Sequence, residues 1–373
     1  MLHRYTENIN DIITKNKVLI IYGARRVGKT TMLKNLLLKS GLKYKYDSGD
    51  NIRIRELLSS QDFDTILNYA EGYDIVAIDE AQNIPEIGTA LKILIDNKPE
   101  LKIIATGSSS FELSQKTGEP LTGRKRTFTL FPLSMQELHK EYNKYELKEK
   151  LNDFLVFGTY PEVLTAKTKN EKLEILDELV NSYLLKDIFT LENIKKSKTI
   201  TDLLKLLAFQ TGQLISFHEI SNSLGINVRT VERYIDLLEK SFVLYNLYGY
   251  AKNLRKEVRK KVKYYFYDNG VRNGIIRQFN GLEYRNDTGQ LWENFIVSER
   301  LKKISYERIF LNRYFWRDYK QNEIDYIEEI DGNLHAYEIK FSKNKVKKPS
   351  TFLKNYNSTF QVIHKDNYLD FVL

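Results

Sequence analysis

The chain lacks cysteine altogether and has only two tryptophans, three methionines and six prolines among its 373 residues. The absence of cysteine excludes a disulfide framework, a thiol nucleophile and a cysteine-based zinc site. No apolar run approaches the roughly 18 to 20 residues that a helix needs to cross a bilayer. The N-terminal sequence MLHRYTENINDIITKNK is polar and has no signal-peptide core. We therefore expect a soluble, cytoplasmic protein without a membrane partner.

The composition is that of a globular protein with a surplus of basic residues. Hydrophobic residues make up 42% and charged residues 29% of the chain, and its length suits two or three domains. The formal charge is +9, which favours a polyanionic partner, although many basic proteins bind none. The segment 252–263, KNLRKEVRKKVK, concentrates seven basic residues and one acidic residue. Nucleic acid is therefore one candidate partner, and the position of the charge matters more than its sum.

The segment 17–41 has the pattern of a phosphate-binding loop. KVLIIYG is a compact apolar strand, KTTMLKNLLLKSG is an amphipathic helix with a glycine stop, and GARRVGKT lies between them. Glycines allow backbone N–H groups to curl around phosphates, and the helix N-terminus adds the positive end of its dipole. Lys29 is expected to contact the β- and γ-phosphates of ATP, and Thr30 to ligate Mg²⁺. The predicted nucleotide-binding residues of the loop are Gly23, Ala24, Arg25, Arg26, Val27, Gly28, Lys29, Thr30 and Thr31.

A second apolar strand, DIVAIDEAQ at 74–82, ends in two adjacent acidic residues. In P-loop ATPases the acid that ends such a strand belongs to the Mg²⁺ shell, and a nearby polar residue orients the attacking water. We assign the metal role to Asp79 and the polarisation of water to Glu80. A buried strand has no packing reason to end in two acids, although strands at a surface often do.

Hydroxyl and guanidinium groups elsewhere complete the predicted nucleotide site. The strand LKIIATGSSS at 101–110 ends in small hydroxyl residues, and Thr106 or Ser108 is placed to sense the γ-phosphate. A serine-rich loop is also simply a good turn. Arg124 or Arg126, in a basic cluster before the next strand, is predicted as an arginine finger, in cis or from a neighbouring subunit. Solvated basic residues before a strand are an equally ordinary explanation.

Strands alternating with helices at this spacing predict an α/β domain with a parallel sheet and helices on both faces, ending near residue 145. Together, GARRVGKTT, DIVAIDEAQNI, ATGSSS, GRKRTFTLFPLSMQEL and FGTYPEV resemble the AAA-type P-loop ATPases of archaea and bacteria that carry a C-terminal domain of unknown function. The resemblance covers nearly the whole chain. It implies an N-terminal domain that binds ATP and Mg²⁺, and it says little about the biological role.

The segment 215–247 predicts a helix-turn-helix. HEISNSLG forms a first helix that ends at Gly225, VRTVERYIDLLEKS forms a second, and the following stretch with the basic segment would form a wing. The buried face of the second helix is predicted to contain Val231, Tyr234, Ile235 and Leu238. Its exposed face would present the DNA-binding residues Arg229, Thr230 and Arg233. Winged helices also serve as protein–protein modules, so a protein partner stays open.

The segment 324–340, IDYIEEIDGNLHAYEIK, predicts a hairpin of two alternating strands around an Asp331-Gly332 turn. In a two-residue loop Asp325 faces Glu338 directly, and like charges in that position weaken a sheet. A divalent cation, a shared proton or a lysine would have to neutralise them. With a loop one residue longer, the two carboxylates would not pair.

A helix at 290–303 carries Glu293 beside its apolar residues, which are Trp292, Phe295, Ile296 and Leu301. The order of this helix, the two strands, and a later helix and strand resembles that of PD-(D/E)xK nucleases. That resemblance implies a Mg²⁺ site formed by Glu293, Asp325 and Glu338. It implies catalytic roles for Asp325, Glu338 and Lys340. The plainer alternative is a cross-strand salt bridge between Glu323 and Lys340.

The predicted organisation has four parts: an AAA-type ATPase domain at 1–145, a helical lid or connector at 146–200, a winged helix at 201–263 and a nuclease-like α/β domain at 264–373. The predicted function is that of a Mg²⁺-dependent ATPase coupled to the binding of duplex DNA, with cleavage left open. The alternative is a nucleotide-gated regulatory switch of the signal-transducing ATPase type, whose C-terminal domains bind DNA or protein without cleavage. The sequence does not define the oligomeric state.

Overall fold

The computed structural model describes residues 2–5, 12–14, 16–108, 120–184, 197–251, 262–318, 320–343, 346 and 348–373. These residues form two compact units. The first contains residues 3–131 and 240–242, and the second contains Leu2 and residues 132–239 and 243–373. Most of the basic segment predicted as a wing lies outside the described residues.

The first unit is built on a five-stranded parallel sheet in the order β2-β3-β4-β1-β5. Every residue of β1 and β3 is buried, as expected for strands covered on both faces. The α/β class and the parallel sheet are therefore confirmed. The strands are β1 (Val18–Tyr22), β2 (Tyr44–Ser48), β3 (Ile75–Asp79), β4 (Lys102–Gly107) and β5 (Lys125–Thr129); the helices are α1 (Lys29–Lys39), α2 (Ile52–Ser59), α3 (Phe63–Tyr69) and α4 (Ile87–Asn97).

The second unit combines helices with a six-stranded mixed sheet in the order β11-β10-β9-β8-β6-β7. Its strands are β6 (Leu244–Gly249), β7 (Val262–Phe266), β8 (Asn312–Arg317), β9 (Glu323–Ile330), β10 (Asn333–Ile339) and β11 (Ser358–Ile363). Its α-helices are α5 (Met135–Leu138), α6 (Lys144–Glu149), α7 (Leu151–Phe157), α8 (Pro161–Thr165), α9 (Lys169–Glu178), α10 (Ser197–Phe209), α11 (Phe217–Leu224), α12 (Val228–Lys240), α13 (Asn269–Ile276), α14 (Thr288–Glu307), α15 (Ser350–Asn355) and α16 (Tyr368–Val372).

The helix α14 lies at the centre of the second unit's core. Its buried Trp292, Phe295 and Ile296 pack with residues of β9, β10 and α16, and also with Leu133 and Met135 at the start of the unit. A buried hydrogen bond supports this contact, because the Glu299 carboxylate on α14 accepts a hydrogen bond of 2.7 Å from the backbone N–H of Met135. The contacts thus divide the chain after residue 131, ahead of the boundary predicted near 145.

The two predicted helices of the helix-turn-helix are present as α11 and α12. Gly225 ends α11 in the left-handed conformation at φ 63°, as the sequence predicts. The residues predicted to be buried on α12 are buried, together with Leu237. The strands that follow, β6 and β7, pair with each other and extend the sheet of β8 to β11. The predicted boundary between residues 263 and 264 therefore lies inside β7.

The hairpin of β9 and β10 has the predicted register. Ile330 pairs with Asn333, and the pairing continues to Tyr326 with Tyr337. The two loop residues Asp331 and Gly332 both have positive φ, at 50° and 78°, which is the conformation that a two-residue hairpin turn requires. The longer-loop alternative is excluded.

The motif FGTYPEV packs closely against Asp268, the residue that precedes α13. Gly158 has φ 76°, and a Cβ there would lie 2.0 Å from Oδ1 of the buried Asp268. The Asp268 carboxylate accepts hydrogen bonds from the backbone N–H groups of Thr159 at 2.7 Å and Val271 at 3.0 Å. The motif thus joins α7 to α13 within the second unit, and its glycine has no room for a side chain.

Replacing Gly158 with alanine is expected to lower the free energy of unfolding of the second unit by about 3 kcal/mol, because backbone strain and the clash with Asp268 add. Urea unfolding followed by tryptophan emission measures this, since Trp292 and Trp316 are both in this unit. Gly225→Ala is the control: φ is also positive there, but nothing lies within 4 Å of the added Cβ. A cost for Gly158→Ala no larger than that of the control would contradict the argument.

Across the described ranges, none of the helices combines the length and the apolar character needed to cross a membrane.

Candidate nucleotide site and carboxylate cluster

The loop between β1 and α1 is held in one conformation by its glycines. A Cβ on Gly23 would lie 2.2 Å from the backbone oxygen of Leu130, so only glycine fits. Gly28 precedes the first turn of α1 with φ 95°, and Arg26 is also left-handed with φ 60°. This winding directs the loop to the N-terminus of α1, where backbone N–H groups and the helix dipole favour an anion.

Lys29 is buried and its ammonium group lies against this loop. Its Nζ donates hydrogen bonds to the backbone oxygens of Gly23 at 2.9 Å and Ala24 at 3.0 Å. The predicted phosphate-binding lysine therefore stands at the loop that would surround the phosphates. Arg25 and Arg26 are half-buried on the same loop, and Val27 is fully buried beneath it.

The carboxylate of Asp79 ends β3 and meets the start of α1. The hydroxyl of Thr30 donates to Asp79 Oδ2 at 2.6 Å, so the structure brings the two predicted Mg²⁺ ligands together. Tyr46 on β2 donates to the same oxygen at 3.0 Å, and Thr106 donates to Oδ1. Burial, and then the charge of Asp79, raise the pKa of the Tyr46 hydroxyl, which stays a donor at neutral pH. Tyr46 is a residue of the site that the sequence pattern does not indicate.

Glu80 is the next residue and adopts a left-handed conformation with φ 50°. Its N–H donates to the Thr106 hydroxyl at 3.1 Å. Its carboxylate accepts a hydrogen bond of 2.5 Å from the amide of Gln82, which also donates to the hydroxyl of Ser108 at 3.2 Å. Thr106 at the end of β4 thus contacts both acids, whereas Ser108 is linked to Glu80 through Gln82, which is an additional residue of the site.

The donor set of this site fits a magnesium nucleotide. A hydroxyl and a carboxylate oxygen at 2.6 Å from each other are hard oxygen ligands of the kind Mg²⁺ takes alongside waters and phosphate. The ammonium of Lys29 and the N-terminus of α1 supply positive charge for phosphates.

Arg124 and Arg126 do not lie at this site. In the parallel pairing of β1 with β5, Val18 is opposite Lys125, so both arginines are at the start of these strands. The phosphate loop follows the other end of β1, about 16 Å away for a five-residue strand. Arg124 forms a 2.6 Å ion pair with Asp96, and Arg126 donates to Thr14 at 2.7 Å. An arginine finger in cis is therefore wrong for both residues, and action in trans stays a prediction.

The predicted acids of the second unit meet at one end of the mixed sheet. Asp325 on β9 accepts a hydrogen bond of 2.8 Å from the N–H of Ile339. The Lys340 ammonium lies 2.8 Å from Glu338 Oε1 and 3.6 Å from Asp325 Oδ2. Lys340 is thus paired with these two acids, whereas Glu323 contacts other cations.

Lys263 on β7 is a member of this group that the sequence analysis placed only in the wing. Its side chain is buried, and Nζ lies 2.5 Å from Glu323 Oε1 and 3.3 Å from Glu293 Oε1. The hydroxyl of Tyr265 donates to the same Glu293 oxygen at 2.6 Å. We call Glu293, Glu323, Asp325, Glu338, Lys263 and Lys340 the carboxylate cluster.

Burial raises the pKa of two acids of this cluster, Glu293 and Glu338. Burial, opposed by Lys263 and increased by Asp325, raises the pKa of Glu293 to about 7. Burial and then the charge of Asp325 also raise the pKa of Glu338. For Lys340, burial alone would lower the pKa, but Asp325 and Glu338 outweigh it and raise the pKa. Both lysines of the cluster carry charge at neutral pH, because the pKa of Lys263 is raised as well.

The three acids predicted as metal ligands, Glu293, Asp325 and Glu338, each lie within ion-pair distance of a lysine ammonium of the chain. In the part of the chain that the structure describes, no group of three acidic or histidine side chains is spaced to hold a metal ion. The physical reason is that ammonium groups occupy the space between the carboxylates. The predicted trio is a set of ion-paired acids.

The predicted DNA-binding residues lie near the start of α12. Arg229 and Arg233 are exposed and are one helical turn apart. Thr230 is different, because its N–H and hydroxyl both donate to Asn227 Oδ1, at 2.7 and 2.9 Å. Thr230 therefore contributes to the start of the helix, which leaves the two arginines as the prominent polar groups of the three.

The loop, the buried Lys29 and the contact between Thr30 and Asp79 define the first unit as a domain of the P-loop ATPase class. A family model described as AAA domain matches residues 15–139 and supports this class. Two further models, each described as a domain of unknown function, match residues 148–281 (DUF8612) and 288–368 (DUF4143).

The chain is similar to several uncharacterized proteins. One from Mycobacterium tuberculosis is 26% identical over 327 residues, which cover 87% of this chain and 70% of that protein. One from Methanocaldococcus jannaschii is 25% identical over 375 residues, which cover 94% of this chain and 80% of the relative. These similarities cover most of this chain and so extend into both units.

Two solved structures are also similar. A Walker-type ATPase of Pyrococcus abyssi has a TM-score of 0.48 at 17% identity, covering 69% of this chain and 91% of the other. The Orc1 protein of Aeropyrum pernix, solved in complex with DNA, has a TM-score of 0.32 at 12% identity, covering 71% of this chain and 87% of the other.

Proposed function

We propose that the first unit binds ATP with Mg²⁺ and hydrolyses it. The observation that carries this proposal is the 2.6 Å contact between Thr30 and Asp79 beside the loop that holds Lys29. Lys29 would bind the β- and γ-phosphates, Thr30 and Asp79 would hold Mg²⁺, and Glu80 would orient the attacking water. The bound ion would offset negative charge on the phosphates. Steady-state ATP turnover in the presence and absence of Mg²⁺ tests the proposal.

We further propose that the second unit binds duplex DNA and that this binding is coupled to the nucleotide state. Support comes from α11 and α12, which form two helices joined at a glycine turn and expose Arg229 and Arg233 on the second helix. The hairpin of β6 and β7 takes the place of the wing, and the basic segment connects its strands. A winged helix is the arrangement that these features favour.

Replacing Arg229 and Arg233 together with alanine is expected to weaken binding to a short DNA duplex about 10-fold at physiological salt. Two phosphate contacts would be lost, so the slope of log K against log salt should become shallower by about 2. Fluorescence anisotropy over a salt series measures both quantities.

The matched control is Lys144→Ala with Lys148→Ala, which removes the same charge from α6. These two lysines are exposed and contact Asp370 and the backbone of Asp366. Binding should change much less in the control. Equal losses in both double variants would mean that total charge, and not α12, determines the affinity.

We propose a nuclease-like fold for the C-terminal part of the second unit. Support comes from the element order α14, β8, β9, β10, α15, β11, which resembles that of the PD-(D/E)xK group. In such a fold Asp325, Glu338 and Lys340 would be the residues of the motif. The fold by itself does not establish cleavage. A nucleic-acid-binding role is the function that the fold and α12 support together.

The alternative function is a nucleotide-gated switch that turns over slowly. The specific observation in its favour is the hydrogen bond from Gln82 to the Glu80 carboxylate, which engages the group that would orient water. A switch predicts tight retention of ADP and turnover that does not respond to DNA. An ATPase coupled to DNA predicts faster turnover when duplex is added, so one turnover assay with and without DNA separates the two.

A further inference from the structure

The carboxylate cluster gathers four acids from three elements of the second unit. Glu293 comes from α14, Glu323 and Asp325 from β9, and Glu338 from β10. Carboxylates this close repel unless cations lie between them. A nuclease fold would satisfy them with a divalent metal ion. In this chain the cations are part of the protein.

Lys263 is the cation on the inner side of the cluster. The residue is 1% exposed, and its ammonium contacts Glu293 and Glu323 at 3.3 and 2.5 Å. Its position is fixed by the backbone, because β7 pairs with β6 on one side and Lys263 forms a bridge with Leu214 on the other. A buried ammonium is stable only with such partners. The Lys263 ammonium therefore stays paired with these acids and is not free to move into solvent.

The surroundings of Glu293 leave little space for a metal ion. Its Oε1 already receives the Tyr265 hydroxyl at 2.6 Å as well as Lys263. The backbone of Gly212 lies directly above, since a Cβ at that glycine would be 3.1 Å from the same oxygen. Mg²⁺ requires free oxygen lone pairs about 2.1 Å from the ion in octahedral geometry. These contacts occupy that space with protein hydrogen-bond donors.

On the outer side of the cluster the cation is Lys340, whose side chain is 45% exposed. One oxygen of Asp325 accepts the N–H of Ile339 and faces the ammonium of Lys340. Glu338 is paired with Lys340 at 2.8 Å. Each of the three acids implied as metal ligands thus has a cationic partner from the chain itself.

We infer that the ammonium of Lys263 takes the place of the divalent cation in this cluster, so that the second unit binds no metal there and does not cleave phosphodiesters. The inference refines the proposed function, because it assigns the nuclease-like fold a binding role alone. It does not depend on ATP hydrolysis, which is measured separately.

The direct test is Mn²⁺ binding to the nucleotide-free full-length chain, followed by electron paramagnetic resonance. Asp79→Asn serves as the background because it removes a predicted metal ligand of the nucleotide site. We expect the Asp79→Asn variant to bind no Mn²⁺ at concentrations up to about 1 mM, a range in which weak carboxylate sites become occupied. The double variant Asp79→Asn with Lys263→Met should bind one Mn²⁺ ion. The triple variant that also carries Asp325→Asn should bind none.

Lys302→Met in the same background is the matched control. Lys302 is also buried, and it pairs with Glu299 at 2.6 Å in the same unit. Its removal should destabilise the protein without creating a Mn²⁺ site. Thermal unfolding completes the test, because Mn²⁺ should raise the Tm of the Lys263→Met variant and leave that of the Lys302→Met variant unchanged.

Three results would overturn the inference. The first is Mn²⁺ binding by the Asp79→Asn protein that disappears when Asp325→Asn is added. The second is Mg²⁺-dependent nicking of plasmid DNA by the wild type that Asp325→Asn abolishes. The third is a folded Lys263→Met variant that gains no Mn²⁺. If that variant does not fold, the measurement on Asp79→Asn decides alone. The proposed ATPase function is tested separately, by whether ATP turnover of the wild type is lost in the Lys29→Ala variant. It can therefore hold or fail independently of these outcomes.

Discussion

Replacing Lys29 with alanine is expected to lower Mg²⁺-dependent ATP turnover by about a thousand-fold. The ammonium stands at the phosphate loop, bound to the backbone oxygens of Gly23 and Ala24. It would stabilise charge that develops on the phosphate oxygens as the terminal phosphoryl group leaves, and the loss of one such contact in a water-poor site has an effect of this size. The affinity for ATP should fall as well, because the lysine contacts the phosphates in the ground state too.

The measurement is phosphate release under saturating ATP, together with the Kd of a fluorescent ATP analogue. Lys92→Ala is the control, because it removes the same charge from an exposed position on α4 of the same unit. Its turnover should stay within about two-fold of wild type, as surface substitutions usually do. Residual turnover of the Lys29→Ala variant above a tenth of the wild-type rate would mean that the loop is not the site of hydrolysis.

Glu80→Gln is expected to reduce turnover by about 10² to 10³ while ATP still binds. The glutamine keeps the size of the side chain and removes the negative charge that would draw a proton from water. Because Asp79 and Thr30 are unchanged, the metal ligands remain in place. The variant should therefore separate binding from hydrolysis, with the Kd for ATP unchanged within about two-fold and single-turnover cleavage slow.

Gln82→Ala provides the companion to this experiment. Gln82 donates to the Glu80 carboxylate and to Ser108. If that contact holds Glu80 away from water, the alanine variant should turn over ATP faster than wild type without DNA. If Glu80→Gln turns over ATP at the wild-type rate, Glu80 is not the residue that activates water. A change in the turnover of Gln82→Ala could then not be explained by release of Glu80.

The nucleotide site was predictable because its parts are local or terminate strands. The loop residues are contiguous, and the acids Asp79 and Glu80 follow a strand whose apolar run is visible in the sequence. Tyr46 could not be found this way. It reaches Asp79 only because β2 lies beside β3, with Tyr46 opposite Ala77. The register of this pairing cannot be inferred from the sequence of either strand alone.

An arginine finger acting in cis was wrong for a reason that the sequence already contained, whereas action in trans stays a prediction. In a parallel sheet all strands begin at the same edge, so residues that precede a strand lie opposite the phosphate loop. Arg124 precedes β5, and Arg126 is its second residue. The direction of the strands alone therefore places both of them far from nucleotide in their own chain.

The carboxylate cluster contains one feature that the sequence predicted, the pairing of its two strands, and one that it did not, the position of Lys263. The pairing of β9 with β10 followed from turn chemistry at Asp331 and Gly332, which fixes the register of the hairpin. Lys263 was assigned to a separate wing, because nothing local links β7 to acids that lie 30 or more residues later along the chain. That link exists only because β6 pairs with β8 and so brings β7 into the same sheet.

This shared sheet affects how the chain can be divided. A fragment restricted to residues 288–368, the range of one matching family, would leave β8 without its neighbour β6 and expose an open strand edge. It would also lack Leu133, Met135 and Phe154, which pack against α14 in the intact unit. Contacts between residues so distant in sequence carry a high loop-closure cost, so we expect the second unit to fold more slowly than a unit held together by local contacts. We also expect the middle and C-terminal segments to fold and unfold together, because they form one compact unit.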